Sequence, residues 1–344
     1  MMVSTTSRRA FGLSLICLGF LAALSVSTGV AAAADGATLT LYNSQDQGPI
    51  EAVAAAYEKK TGVHIDIRDN GAPALAHQII AEDKKTPADI FFAEYSSALV
   101  SLANKGLLAE IPAGSYSQIP ARFSDSGHKW LGVTARSFVI LYNQKMIDEG
   151  KLPASILDFA KPEWAGKFAY NPRAAAFLEL VVAVEKTVGR EAAKNWLAGL
   201  KQNGKAYPTN TAMVLDVDRG EVETAINADN YWLAVAKERG ADQLNVRVHY
   251  IGHQDPGALI TVSGVGVLKY APHRAEAEKF VAYLVSDEGQ RLLANAAGDA
   301  PLRPGIVSPV ALKPFDQLAA SPVTAAMIGD AADALELERS VGLN

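Results

Sequence analysis

The chain of 344 residues has only one cysteine, Cys17, and it lies within the first 34 residues. Disulfides and thiolate metal sites are therefore excluded from the rest of the chain. Basic residues are also in short supply, because 32 lysines and arginines stand against 37 acidic residues. The resulting net charge of -5 argues against nucleic acid or an anionic membrane as a partner. Beyond residue 34, no apolar run is long enough to span a bilayer.

Residues 1–34 have the pattern of a secretory signal, and we set them apart from the folded protein. Arg8 and Arg9 form a basic start, an apolar run follows, and small residues end at Ala34. This order is typical of a cleaved signal peptide. The twin arginine in "SRRAFGL" also fits export of a folded protein, so the Sec and twin-arginine routes both stay open. We expect a periplasmic protein that is cleaved near Ala34.

Strand-like and helix-like patterns alternate along the rest of the chain. The alternating apolar run "ATLTLYN" is followed by a segment with Ile50, Val53, Ala54 and Tyr57 at helical spacing. A second cycle begins after residue 130, and the length exceeds that of one typical core. The pattern predicts two α/β lobes with mostly parallel sheets, and one long amphipathic helix over residues 273–296. A ligand is expected in the cleft between the lobes.

Eight segments resemble, in order and spacing, the periplasmic ferric-ion-binding proteins of ABC importers. They are "YNSQDQ", "PADIFFAEYSSAL", "RSFVILYN", "YNPRAAAFLE", "NWLAGLKQNGKAY", "NYW", "DPGALITVSG" and "EAEKFVAYLVSDEGQRLL". The resemblance covers residues 38–305. The last segment is shared by many type II periplasmic binding proteins, whereas "YNSQDQ", "PADIFFAE" and "DPGALITVSG" are closer to the iron-binding branch.

The resemblance implies an α/β, two-lobed type II periplasmic binding protein fold with hinge strands and a ligand cleft between the lobes. Residues 35–135 and 264–305 would form the first lobe and residues 136–263 the second. Residues 306–344 would form a C-terminal helical segment packed on the lobes. The implied molecule is a monomeric receptor, not an enzyme, which delivers its ligand to a membrane permease.

The resemblance also implies candidate metal ligands. In the family a ferric ion is held by a histidine, a glutamate, two adjacent tyrosines and a small anion. The glutamate corresponds to Glu94 and the second tyrosine to Tyr231, while the histidine position is Asp46. A carboxylate there keeps a hard oxygen donor. The first tyrosine position is Asn230, a neutral and doubtful ligand, and the adjacent Asp229 is a further carboxylate whose direction stays open.

The family's synergistic anion, phosphate or carbonate, is expected at the start of a helix. The Ser-Gly-Ala turn of the family is replaced here by three alanines, so the backbone amides remain but the hydroxyl is lost. Asn210 and Arg136 match family positions, a second family arginine is Phe138 here, and Arg173 is an added cation. The candidate anion-binding residues are Arg136, Asn210, Arg173, Ala174, Ala175 and Ala176.

Two ligand classes remain open at this stage. One is ferric iron with its small anion, and the other is an organic anion, phosphonate or sugar phosphate clamped by Arg136 and Arg173. An exported hydrolase is not expected, because no G-x-S-x-G or H-E-x-x-H motif occurs. Asp46 also suits the start of a helix, and Tyr231 also suits the wall of a cleft.

Overall fold

The computed structural model describes residues 38–296, 299–307 and 313–343. The expected signal segment, with Arg8, Arg9 and the cleavage region near Ala34, lies outside the described residues. The strands are β1 (Thr38–Asn43), β2 (His64–Asp69), β3 (Ile90–Ala93), β4 (Leu131–Asn143), β5 (Phe168–Tyr170), β6 (Lys205–Ala206), β7 (Thr224–Ala228), β8 (Val246–His249), β9 (Ile260–Val267) and β10 (Ala300–Pro301). The helices are α1 (Gln47–Thr61), α2 (Ala72–Glu82), α3 (Ser96–Asn104), α4 (Ala113–Tyr116), α5 (Ala175–Val188), α6 (Arg190–Asn203), α7 (Asn210–Arg219), α8 (Asp229–Arg239), α9 (Arg274–Leu284), α10 (Asp287–Ala296), α11 (Ala325–Ile328) and α12 (Ala332–Ser340).

Strand β4 belongs to two groups of strands at once. Its first half, residues 131–137, pairs with β9, and the sheet continues through β3 and β1 to β2. Its second half, residues 138–143, pairs with β7 and β8, and β7 continues to β5 and β6. Strands β1, β2 and β3 are parallel, as predicted, whereas β9 runs antiparallel to both β3 and β4. A single strand therefore positions residues of both halves.

Each half of the molecule has hydrophobic cores of its own. The first core surrounds β1, β3, β9 and the first half of β4, and Phe91 and Trp130 are among its largest buried side chains. The second half buries Phe168 and Trp196 in one cluster and Trp232 in another. Each α/β half has to bury its own apolar faces, so two halves need separate cores. None of the helices in the described residues is long and apolar enough to cross a membrane.

Helix α1 follows directly from its sequence pattern. Ile50, Val53, Ala54 and Tyr57 are buried on one face, so the predicted i, i+3, i+4, i+7 spacing is confirmed. The helix ends at Gly62, which has a φ of 76° and donates its N–H to a carbonyl of the last turn. Glycine adopts this left-handed conformation without the strain that a side chain would bring.

The prediction of one long helix over residues 273–296 is wrong. Helix α9 ends at Leu284 and α10 begins at Asp287. Between them, Ser286 Oγ accepts a hydrogen bond from the Gly289 N–H at 3.2 Å and so caps α10. A Cβ atom on Gly289 would lie 2.3 Å from a carbonyl oxygen of α9, which the close junction does not allow. The apolar period continues across the break, which is why periodicity alone predicts a single helix.

The C-terminal segment packs on both halves. Helix α11 lies against α3, and α12 lies against α5. Ala325 belongs to the first core, whereas Ala334 and Leu337 belong to the second. The segment therefore forms a connection between the two halves in addition to strand β4.

Glu179 of α5 is a buried carboxylate that meets the start of α3. Its Oε1 accepts hydrogen bonds from the Ser97 N–H at 3.4 Å and from Ser96 Oγ at 3.5 Å. Its Oε2 has no hydrogen-bond partner within the described part of the chain. Burial raises the pKa of Glu179 to about 7, although the Ser97 N–H acts in the opposite direction.

We predict that Glu179→Gln stabilises the protein at alkaline but not at acidic pH. A raised folded-state pKa means that the wild type loses free energy of unfolding as the pH rises from about 4.5 through about 7, and does not regain it above. Glutamine has no charge to bury. The free energy of unfolding of the variant relative to the wild type should therefore be larger at about pH 8 than at about pH 5, by up to about 3 kcal/mol.

Urea unfolding at the two pH values measures this gain. Glu191→Gln, at the exposed start of α6, is the control and should show little change with pH. A free-energy difference between Glu179→Gln and wild type that does not depend on pH would contradict the prediction.

Candidate functional site

Arg136 is the buried cation around which the site is built. It lies where β4 changes partners from β9 to β7, and it is only 2% exposed. Its Nη2 donates to Asp299 Oδ2 at 2.7 Å and its Nη1 to Glu94 Oε1 at 3.1 Å, while Ser263 Oγ accepts another hydrogen bond. Burial disfavours the charge, but the carboxylates of Asp299 and Glu94 outweigh it and raise the pKa of Arg136 above its ordinary value.

Glu94 and Tyr95 follow β3 at the point where the chain leaves the sheet. Strand β3 is fully buried between β1 and β9, so these two residues emerge beside Arg136. The Glu94 side chain is 33% exposed, and burial raises its pKa although Arg136 acts against this. The ring of Tyr95 lies 5.2 Å from the guanidinium centre of Arg136, whose Nη1 is 3.5 Å from the Tyr95 hydroxyl. Burial raises the pKa of Tyr95 well above its ordinary value.

Tyr231 reaches the same place from the other half of the molecule. Helix α8 begins directly after the buried strand β7, which places Tyr231 in its first turn. The phenol is half-buried and interacts with the side chains of Asn210 and Tyr95. Burial raises the pKa of Tyr231, and the hydrogen bond with Asn210 lowers it. Oxygen atoms of Glu94, Tyr95 and Tyr231 thus come together from both halves.

The predicted anion position lies beside Tyr231. Residues 174–176 form the cap and the first two positions of α5, and the first N–H groups of an α-helix lack partners within the helix. Ala174 and Ala176 line a small cavity with Phe138 and Asn210. Asn210 in turn accepts a hydrogen bond on Oδ1 from Asn171 at 3.1 Å. The cavity therefore adjoins the phenol through Asn210.

Arg173 and Asp46 occupy more peripheral positions. Arg173 is exposed, and its backbone N–H donates to Asn171 Oδ1 at 3.1 Å. Asp46 is exposed at the start of α1 and lines a small pocket with Gln45 and Asp299. Gln45 Nε2 donates to Asp299 Oδ2 at 3.2 Å. Asp46 thus adjoins the Asp299 side of the Arg136 ion pair.

Asp229 and Asn230 do not offer open oxygen atoms. Asp229 is buried, where its Oδ1 accepts from the Ser137 N–H at 3.0 Å and its Oδ2 from the Tyr250 hydroxyl at 3.2 Å. Burial raises the pKa of Asp229 to about 7. The Asn230 Oδ1 atom is buried and has no hydrogen-bond partner among the residues described. Asp229 therefore fastens α8 to β4, and the open question of its direction is answered.

Phenol oxygens are hard donors that lie beside Glu94 in this part of the molecule. Within the described ranges, no group of three or more histidine, cysteine, aspartate and glutamate side chains could hold a metal ion.

Sequence reasoning missed several residues that the structure brings to Arg136. Tyr95 stands next to Glu94 in "FFAEYSS", and that adjacency was the available signal. Asp299 and Ser263 are distant in sequence from Arg136, and no local pattern marks them. They become neighbours only because β9 pairs with β4 and the segment after α10 returns to β4.

The mixed sheet shared through β4, the separate cores and the polar residues contributed by both halves define a two-lobed type II periplasmic binding protein. Comparison with known proteins identifies the family within this class. The chain belongs to the bacterial extracellular solute-binding proteins, whose family pattern matches residues 85–324.

Similar proteins include several that are named for iron. The major ferric iron-binding protein of Neisseria meningitidis is 37% identical over 309 residues, which cover 89% of this chain and 93% of that protein. The structure of iron-bound HitA from Pseudomonas aeruginosa superposes with a TM-score of 0.85 at 43% identity, covering 89% of this chain and 100% of HitA. FutA of Trichodesmium, solved with iron and citrate, superposes with a TM-score of 0.79 at 25% identity, covering 89% and 100% of the two chains.

We predict that Arg136→Met lowers the free energy of unfolding by about 3–5 kcal/mol, because it leaves the carboxylates of Asp299 and Glu94 without their cation. The exposed Arg173 provides the matched control, and Arg173→Met should change stability by less than about 0.5 kcal/mol. Urea unfolding of both variants measures the difference. Equal, small effects would contradict the structural role assigned to Arg136.

Proposed function

We propose that this protein is an exported, periplasmic receptor that binds ferric iron and delivers it to the permease of an ABC importer. The observation that carries the proposal is the meeting of Glu94 and Tyr231, from the two halves, beside a buried and neutralised arginine. The iron-binding relatives, 37% and 43% identical to this chain, support the same ligand.

The ligand chemistry suits a hard, trivalent cation. Carboxylate and phenolate oxygens are hard anionic donors, and a bound cation stabilises the deprotonated phenol. Glu94 and Tyr231 would bind the ion directly. Asp46 would add a carboxylate from the start of α1, whereas the buried Asn230 amide is the weakest candidate.

A small anion would complete the site at the start of α5. The Ala174 N–H donates to the Asn171 carbonyl, so the N–H groups of Ala175 and Ala176 in the first turn of α5 are those that would face an anion, with the side chain of Asn210 beside them. Phosphate and carbonate are the candidates that fit this role. Arg136 and Arg173 would contribute positive potential at longer range.

The competing ligand is an organic anion, phosphonate or sugar phosphate. That ligand needs an accessible cation in the cleft. Arg136 is 2% exposed and already paired with Glu94 and Asp299, so that of the two candidate arginines Arg173 alone is accessible. The pairing of Arg136 thus favours a cation over an anion as the primary ligand.

Closure of two lobes around the ion would make the loaded form recognisable to the permease. We assign residues 35–135 and 264–305 to the first lobe and residues 136–263 to the second. The segments of β4 and β9 at this boundary would act as the hinge. In this account the protein works as a monomer and catalyses no reaction.

We predict that the metal-stripped protein acquires a visible tyrosinate-to-iron charge-transfer band when titrated with chelated ferric iron. Tyr231→Phe should lower the iron affinity at least tenfold, because it removes a phenolate and leaves no donor in its place. An absorbance titration against a competing chelator, with added phosphate or carbonate, measures both quantities.

Tyr207→Phe is the control, since the Tyr207 hydroxyl donates to Asp216, which is not among the proposed ligands, and the variant should bind as the wild type does. A saturable interaction with phosphonates or sugar phosphates, together with no iron band, would favour the competing ligand.

A further inference from the structure

The Tyr95 hydroxyl interacts with both residues proposed as iron ligands, the carboxylate of Glu94 and the phenol of Tyr231. It also accepts a hydrogen bond from Arg136 Nη1 at 3.5 Å. A phenol in this position can bind a metal ion as well as orient its neighbours.

We propose that Tyr95 is the second phenolate ligand of the ferric ion and supplies from the first lobe the donor that Asn230 lacks. This inference rests on the proposed function, because it names a further ligand of the same ion. The ligand set becomes Glu94, Tyr95 and Tyr231.

The geometry of the three oxygens supports this assignment. One guanidinium nitrogen, Arg136 Nη1, donates both to Glu94 Oε1 at 3.1 Å and to the Tyr95 hydroxyl at 3.5 Å. The Glu94 carboxylate and the Tyr95 hydroxyl therefore lie at the same place in the site, where Tyr231 also interacts with Tyr95.

The charges also suit a trivalent ion. Arg136 is paired with Asp299, and this pair adds no net charge to the site. Glu94 and two phenolates then supply three negative charges, before Asp46 and the small anion are added. Both phenols must release their protons to solvent when the ion binds, as metal ligands generally do. Burial raises the pKa of Tyr95, and the guanidinium beside it acts against this by stabilising the deprotonated form.

Asn230 does not supply the missing charge. A neutral amide oxygen would leave the ion with one negative charge fewer than a phenolate. The phenol of Tyr95 already contacts both other ligands, so no rearrangement of α8 is needed.

The first experiment counts phenolates in the wild-type protein. Ga³⁺ is a colourless trivalent substitute for iron, so the ultraviolet difference spectrum reports the tyrosines that ionise when it binds. Calibration against alkaline ionisation of the unfolded protein converts the spectrum to a number per bound ion. We expect two phenolates per Ga³⁺, and a count of one would overturn the inference.

Single and double variants then identify the two phenols. Tyr95→Phe keeps the ring against Arg136 and removes only the hydroxyl, so the fold should be retained, as a thermal unfolding scan would check. Tyr95→Phe and Tyr231→Phe should each lose about half of the iron charge-transfer band per bound iron, and the double variant should lose all of it. Tyr207→Phe should retain the full band.

The outcomes separate the two claims. A full band per bound iron in Tyr95→Phe, even with weaker affinity, would show that Tyr95 only positions its neighbours, and the proposed function would stand. A wild-type protein that binds neither iron nor Ga³⁺ would overturn the proposed function and the inference together. If Tyr95→Phe folds but binds no ion, a wild-type count of two phenolates still supports the inference.

Discussion

A guanidinium removed from water must keep its charge and therefore needs carboxylates within hydrogen-bonding distance. Arg136 meets this requirement with Asp299 and Glu94, and in doing so it fixes where the other groups can lie. Its place on β4 is where the strand passes from one set of partners to the other. The ion pair consequently joins β3, β4 and the segment after α10 at one point between the two halves.

The same buried charge shapes the chemistry of the site. Because Arg136 is already paired, it does not attract an anionic ligand strongly, but it does favour the anionic forms of nearby oxygens. Glu94 is held in place by one guanidinium nitrogen, and the ring of Tyr95 packs on the same group. Tyr231 joins them from α8, and Asp229 secures the start of that helix by its bond to β4. The result is a set of hard oxygen donors with a fixed cation behind it.

Much of the fold could be predicted from the sequence, because apolar spacing and glycine stops act locally. The face of α1 and its end at Gly62 are examples. The break at Ser286 was missed because its cap is a polar signal inside a continuous apolar period. Glu94, Tyr231, Asn210 and the start of α5 were found through a family resemblance and do lie near one another. Asp299 and Ser263 could not be found, because only tertiary pairing brings them to Arg136.

The measurement that tests this account most directly is anomalous diffraction at the iron edge from crystals of the iron-loaded protein. The account predicts one strong peak within bonding distance of the Glu94 carboxylate and the Tyr231 phenol oxygen, beside the buried Arg136. A peak remote from these residues, or none in crystals that contain one iron per chain, would contradict it.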